Sequence, residues 1–152
     1  MAGETGDGDT MSNADRVRDF FRLQYAGDYA QGFARHAHAD FRFVTGSDGD
    51  ADLRAAIPWA GYVHEGQDGY RSLYEGLFGE YDVEAFEPRS FAEAVTDDGA
   101  KVYVEGRFRH KTTGRIAESD WCARFDMRDG RIAGGQFFEN TYAVAMARRG
   151  AD

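Results

Sequence analysis

Near the C-terminus, Gly135, Phe137 and Glu139 alternate with Gln136, Phe138 and Asn140. In a strand, each set shares one face. Carrying the alternation over from the preceding strands puts Phe137 inside, and Glu139 with it. A carboxyl group among aromatic rings resists ionisation, so its pKa rises. It can then give and take a proton near neutrality. Glu139 is the candidate catalytic acid or base; the alternative is a wet position at a strand end. His64 precedes a predicted helix and titrates in the same range, which makes it the candidate second proton carrier. Its alternative is a surface position.

Other chemistry-bearing residues point elsewhere. His36, His38 and Asp40 have the alternating spacing of a metal set, but they straddle a helix end and a strand start and need not share a face. Asp48, Asp50 and Asp52 begin like a calcium loop. The glycine and closing glutamate such a loop needs are replaced by Leu53 and Trp59. No metal is expected. Cys122 is the single cysteine, which excludes an internal disulfide and a Cys-rich zinc site. A lone cysteine fits a reducing, cytoplasmic setting. No Gly-x-Gly-x-x-Gly or Walker loop is present, so no nucleotide cofactor is expected, nor any other.

The 152 residues suit one domain with one core. The net charge of −9 argues against a nucleic-acid partner, whose phosphates call for a basic face. No apolar run is long enough to span a membrane, and no signal peptide is visible. Two segments hold most of the excess negative charge: residues 1–10, with Glu4, Asp7 and Asp9, and residues 47–52. Residues 1–11 read as a disordered acidic tail, because they lack the apolar area to offset ordering. Deleting 1–10 is expected to leave the melting temperature unchanged; a loss of several degrees would mean that the tail docks on the body.

The positioning elements follow from local signals. Ser12 caps a predicted helix in which Val17, Phe20, Phe21 and Gln24 share a face, and Gly27 ends it. Asp28 caps a second helix over about 29–37. Phe41–Thr45 reads as a strand, and 46–65 as a long loop. A third helix follows Gly66, with Tyr70, Leu73, Tyr74, Leu77 and Phe78 as its stripe. Asp98-Gly99, Thr113-Gly114 and Asp129-Gly130 then mark hairpin turns, in which both central residues need φ > 0. They separate strands at about 83–95, 101–110, 115–127 and 131–142. The fold class is α+β: a curved antiparallel sheet wrapped by three N-terminal helices, a cone with an interior. Val102, Val104, Gly106 and Phe108 face in; Tyr103, Glu105, Arg107 and Arg109 face out. Asp120 falls opposite Arg107, and Arg124 diagonal to Glu105.

This order resembles the SnoaL-like branch of the nuclear-transport-factor-two-like superfamily, the cone fold shared with ketosteroid isomerase and polyketide cyclases. The resemblance spans about 12–148. It is carried by Ala26-Gly27-Asp28, Ala39-Asp40, His64-Glu65-Gly66, the stretch from Arg124 to Ile132, and Phe137-Phe138-Glu139-Asn140. It implies a cavity lined by Phe20, Gln24, Phe43, Trp59, Tyr62, Trp121 and Phe137, with Phe41, Val104 and Phe108, around Glu139. Such a chamber suits a small apolar or aromatic molecule. The isomerases' tyrosine falls at Phe20, their general base near Val44 or Thr45, and their oxyanion-hole acid at Trp121. The epoxide hydrolases' inward set falls at Val104, Gly106 and Phe137. The cyclases' acid on the fourth strand has only the outward-facing Glu118 and Asp120 to match it. None of these mechanisms carries over residue for residue. The resemblance therefore implies a cofactor-independent proton-transfer enzyme of secondary metabolism, isomerising, cyclising or dehydrating an aromatic or polyketide-like ligand. The alternative is a non-catalytic binding or scaffold domain. It also implies a homodimer paired through the outer sheet face.

Overall fold

The structure, a computed structural model, describes residues 11–80, 82–112, 115–139 and 144–145. The acidic tail, the Thr113-Gly114 turn and Asn140 lie outside these residues. Helix α1 is Asn13–Tyr25, and the Ser12 hydroxyl accepts from the Asp15 N–H at 3.1 Å. Gly27 takes φ 80°, the left-handed value that ends such a helix at little cost. Asp28 caps α2, Tyr29–His36, by accepting from the Gln31 N–H at 3.1 Å. Strand β1 is Ala37–Thr45, starting earlier than its apolar alternation suggests.

The segment expected to be a loop is partly ordered. It holds a short helix α3, Ala51–Ala56, capped by Asp50, and a three-residue strand β2, Val63–Glu65. Strand β2 exists by pairing with β1, Phe43 opposite His64. A run that short carries no periodicity of its own, so the sequence is silent about it. Helix α4, Gly66–Glu80, follows.

Strands β3 (Asp82–Thr96), β4 (Gly99–Thr112), β5 (Arg115–Arg128) and β6 (Arg131–Glu139) form the expected meander. The six strands make one open sheet in the order β2-β1-β6-β5-β4-β3. The pairing of β1 with β6 is parallel, Thr45 beside Phe137, so the sheet is mixed at that junction. Parallel neighbours need a long connection, supplied here by everything between β1 and β6. The Asp129-Gly130 turn has both residues at positive φ, 53° and 73°. The turn between β3 and β4 differs from the expected Asp98-Gly99 pair: Thr96 pairs with Gly99, so Asp97 and Asp98 form the bend, and Gly99 at φ 118° opens β4.

The faces follow the alternation. Val102, Val104, Phe108, Ala123 and Phe125 are fully buried. Outside, Arg107 donates to Asp120 at 3.0 Å and Arg109 pairs with Glu118 at 3.2 Å. Arg124 turns to Asp126 at 2.8 Å, while Glu105 accepts from Ser90. The helices cover the inner face with an aromatic core. Tyr70 of α4 sits 5.4 to 5.5 Å from the rings of Phe20, Phe41 and Phe43. Several of the contacts are edge-to-face, Phe33 on Phe41 at 4.9 Å among them, a geometry the ring quadrupoles favour.

The metal-like spacings have structural roles. The His36 Nε2 lies 2.6 Å from Asp19 and its Nδ1 3.1 Å from Arg16. His38 Nε2 donates to the Arg128 carbonyl, and Asp40 pairs with Arg128 at 2.7 Å. Asp50 caps α3 and Asp48 pairs with Arg54. Among the described residues, no group of three potential metal ligands converges.

Candidate active site

A pocket opens where β1, β3, β6 and α4 meet. Thr45, Trp59, Leu73, Tyr74, Leu77, Phe86, Phe137 and Glu139 line it. Its cavity volume is ≈ 20 Å³. That is room for about one water.

Glu139 ends β6, two residues beyond Phe137 and opposite Trp121. Its side chain is half-buried, and among the described residues no hydrogen bond or ion pair holds the carboxyl. Burial alone pushes its pKa up to about 7. Near neutrality the group is thus divided between acid and base, as proton transfer requires. The shift has a thermodynamic counterpart. The folded state keeps this proton above the pH at which an unfolded glutamate loses it. The stabilisation is complete below the ordinary value of 4.5 and is lost as pH rises through about 7. Across that interval the wild-type melting temperature is expected to fall more steeply than that of Glu139→Gln. Parallel curves would show that the carboxyl is not desolvated.

Tyr74 faces the same space from α4. Burial raises its pKa to about 12, against the opposing influence of Tyr70 and Gln24, and the Glu139 charge adds to the rise. Its hydroxyl therefore remains a donor at every physiological pH. Behind it, Tyr70 donates to the Gln24 Oε1 at 2.7 Å.

The wall opposite α4 is fastened through Trp59. The Thr45 hydroxyl donates to the Trp59 carbonyl at 2.8 Å, and His64 Nε2 lies 3.1 Å from the same oxygen. A carbonyl only accepts, so the His64 proton sits on Nε2. Burial lowers the His64 pKa, partly offset by this bond. The imidazole is thus neutral and engaged in holding the segment that carries Trp59.

Of the residues expected at the site, the structure brings Glu139, Trp59 and Phe137 to the pocket. Phe20 and Phe43, 2% and 0% exposed, pack ring to ring in the core instead. Gln24 is buried behind Tyr70. Trp121 lies under Phe86 and Phe137, at 4.9 and 5.3 Å between ring centroids. Tyr62 points outward, capped by the Arg54 guanidinium 4.0 Å above its ring. Thr45, Leu73, Tyr74, Leu77 and Phe86 also line the pocket, and none is among the residues expected there from the sequence. One signal for Tyr74 was available: two tyrosines in an apolar helical stripe need partners for their hydroxyls.

The sequence model of the SnoaL-like domain matches residues 17–134, ending before Glu139. A comparison with curated proteins finds no match. Solved structures share the fold. An NTF2-like protein from Burkholderia xenovorans is 24% identical over 90% of this chain and 98% of its own, with a TM-score of 0.72. TerC, co-crystallised with polyporic acid, is 19% identical over 89% of this chain and 96% of its own, at 0.67. A protein from Mesorhizobium loti assigned as a SnoaL-like polyketide cyclase is 18% identical over 84% of this chain and 99% of its own, at 0.58.

Proposed function

We infer the chemistry of this chain from its pocket, taking as premise that the chain belongs to the SnoaL-like domain family. The reading is cofactor-independent proton transfer on an aromatic or polyketide-like ligand, leading to isomerisation, cyclisation or dehydration. One observation carries it: the half-buried Glu139 carboxyl, unpaired among the described residues, with its pKa raised to about 7 in an aromatic pocket. The carboxylate takes a proton from a carbon next to a ligand carbonyl. The acid it becomes returns that proton at a second position or to a leaving hydroxyl. Tyr74, still protonated, donates to the oxygen on which charge builds. His64 acts through Trp59, whose ring is a wall for the ligand. Among related folds, TerC was co-crystallised with polyporic acid, which supports a small-molecule ligand.

The substrate-independent test is hydrogen–deuterium exchange. In D₂O, the protein should accelerate exchange of the α-protons of a benzo-fused cyclic ketone such as 2-tetralone, followed by NMR. Exchange no faster than in buffer would overturn the reading. The small free volume favours a second reading, a binding or scaffold domain without turnover. It is distinguished by binding of the ketone without exchange.

The proposal includes a cytoplasmic homodimer paired through the outer sheet face. Tyr103 and Phe138 there are 39% and 45% exposed, beside the half-buried Cys122. Arg107→Glu would set a carboxylate against Asp120 and is expected to weaken association. A monomer by light scattering at micromolar concentration would refute the dimer. Among the described residues, no helix is long and apolar enough to cross a membrane.

A further inference from the structure

A ring-shaped ligand does not fit the pocket as it stands, since the cavity volume is ≈ 20 Å³. Some part of the wall must give way. Most of it is anchored: Thr45 and Trp59 are bonded together, and Tyr74 belongs to the core. Phe86 is held differently. It lies on β3, the edge strand of the sheet, between two register irregularities at Val83/Ala85 and Pro88/Ser90. Bulges interrupt the ladder, and Pro88 has no N–H to contribute. The Phe86 side chain is only half-buried, so a path to solvent exists.

The Phe86 ring also sits where a ligand ring would be held best. Its plane lies 17° from that of Trp121 at 4.9 Å and 18° from that of Phe137 at 6.1 Å. It is thus one layer of a stack whose other layers stay in place if it leaves. We propose that Trp121 and Phe137 form a ring-binding subsite, and that an uncharged planar ligand bearing a carbonyl or phenolic oxygen enters it by displacing Phe86. One aromatic layer replaces another, so the ligand takes over the stacking that Phe86 provides. Glu139 sits opposite Trp121 in the register and two residues beyond Phe137, which places the carboxyl beside the incoming ring. An anionic ligand would meet that carboxylate; a phenol or ketone meets a proton donor or acceptor. The inference rests on the pocket reading above and adds the ring subsite and its gate.

The test uses 2-naphthol as probe and 2-naphthoate as the anionic control. Trp59→Phe leaves Trp121 as the reporting tryptophan. Naphthol is expected to quench its fluorescence, with an association rate that levels off as probe concentration rises, because Phe86 must first move. In the Phe86→Ala background the rate should stay linear and become about tenfold faster or more, and naphthoate should bind about tenfold more weakly than naphthol. Phe86→Leu serves if the alanine variant fails to fold. A crystal structure of the wild type with naphthol should show the naphthyl ring on Trp121 and Phe86 turned away. Naphthol bound with Phe86 still on Trp121, or no binding to wild type and variant alike, overturns the proposal. Glu139-dependent exchange with Phe86 unmoved would leave proton transfer standing and remove the subsite. Ring binding without exchange would do the reverse.

Discussion

Glu139→Gln is expected to lower the rate of ketone exchange by about two orders of magnitude or more, the usual share of a positioned general acid or base. Glutamine keeps the shape of the side chain and removes its titration. Nothing among the described residues is bonded to the carboxyl, so no structural partner is orphaned by the change. The folded state should therefore survive, and above pH 7 it should be more stable than the wild type, because the desolvated charge is gone. The pH dependence is a second signature. Wild-type exchange should rise through about pH 7 as the base form accumulates, and the variant's residual rate should show no such inflection. Unchanged turnover in a folded Glu139→Gln would falsify the assignment.

Gly134→Ala should produce the largest loss of stability. Gly134 lies on β6 between two strands, with Arg42 of β1 on one side and the Asp126/Met127 irregularity of β5 on the other. Its φ is 149°, in a region that residues with a Cβ avoid. A Cβ there would stand 2.1 Å from the Arg42 carbonyl oxygen, a backbone atom that cannot rotate away. Strain and overlap together are expected to cost about 3 kcal/mol or more, a large part of the stability of a domain this size. Gly130→Ala is the control. It also has positive φ, 73°, but nothing lies within 4 Å of its added Cβ. Only the conformational cost of about 1 kcal/mol applies. Urea midpoints separate the two; equal midpoints would mean that the β1–β6 junction is not as close as described. Since β6 carries Phe137 and Glu139, the site should fail together with the junction.

The meander and its faces are legible in the sequence by itself. Period-two alternation in 101–110 and 115–127 is a local signal, and Asp129-Gly130 bends as its residue types require. The same parity places Glu139 on the inner face. Helices α1 and α2 are legible through Ser12, Asp28 and Gly27, because caps act within three or four residues. Long-range pairing leaves no comparable trace. Strand β2 and the parallel contact of β1 with β6 exist because segments distant in the chain meet, and no local pattern encodes a partner. Inward-facing rings divide in the same way. Parity states that Phe43 and Phe137 both face in; it does not state that Phe43 is sealed by Tyr70 while Phe137 borders open space. Whether a ring fills a core or lines a pocket depends on how far a helix from elsewhere in the chain reaches across the sheet. Tyr74 and Phe86 reach the site on that account, and Phe20 and Gln24 are kept from it, since side-chain packing between remote elements is a property of the assembled layers and not of any one strand or helix.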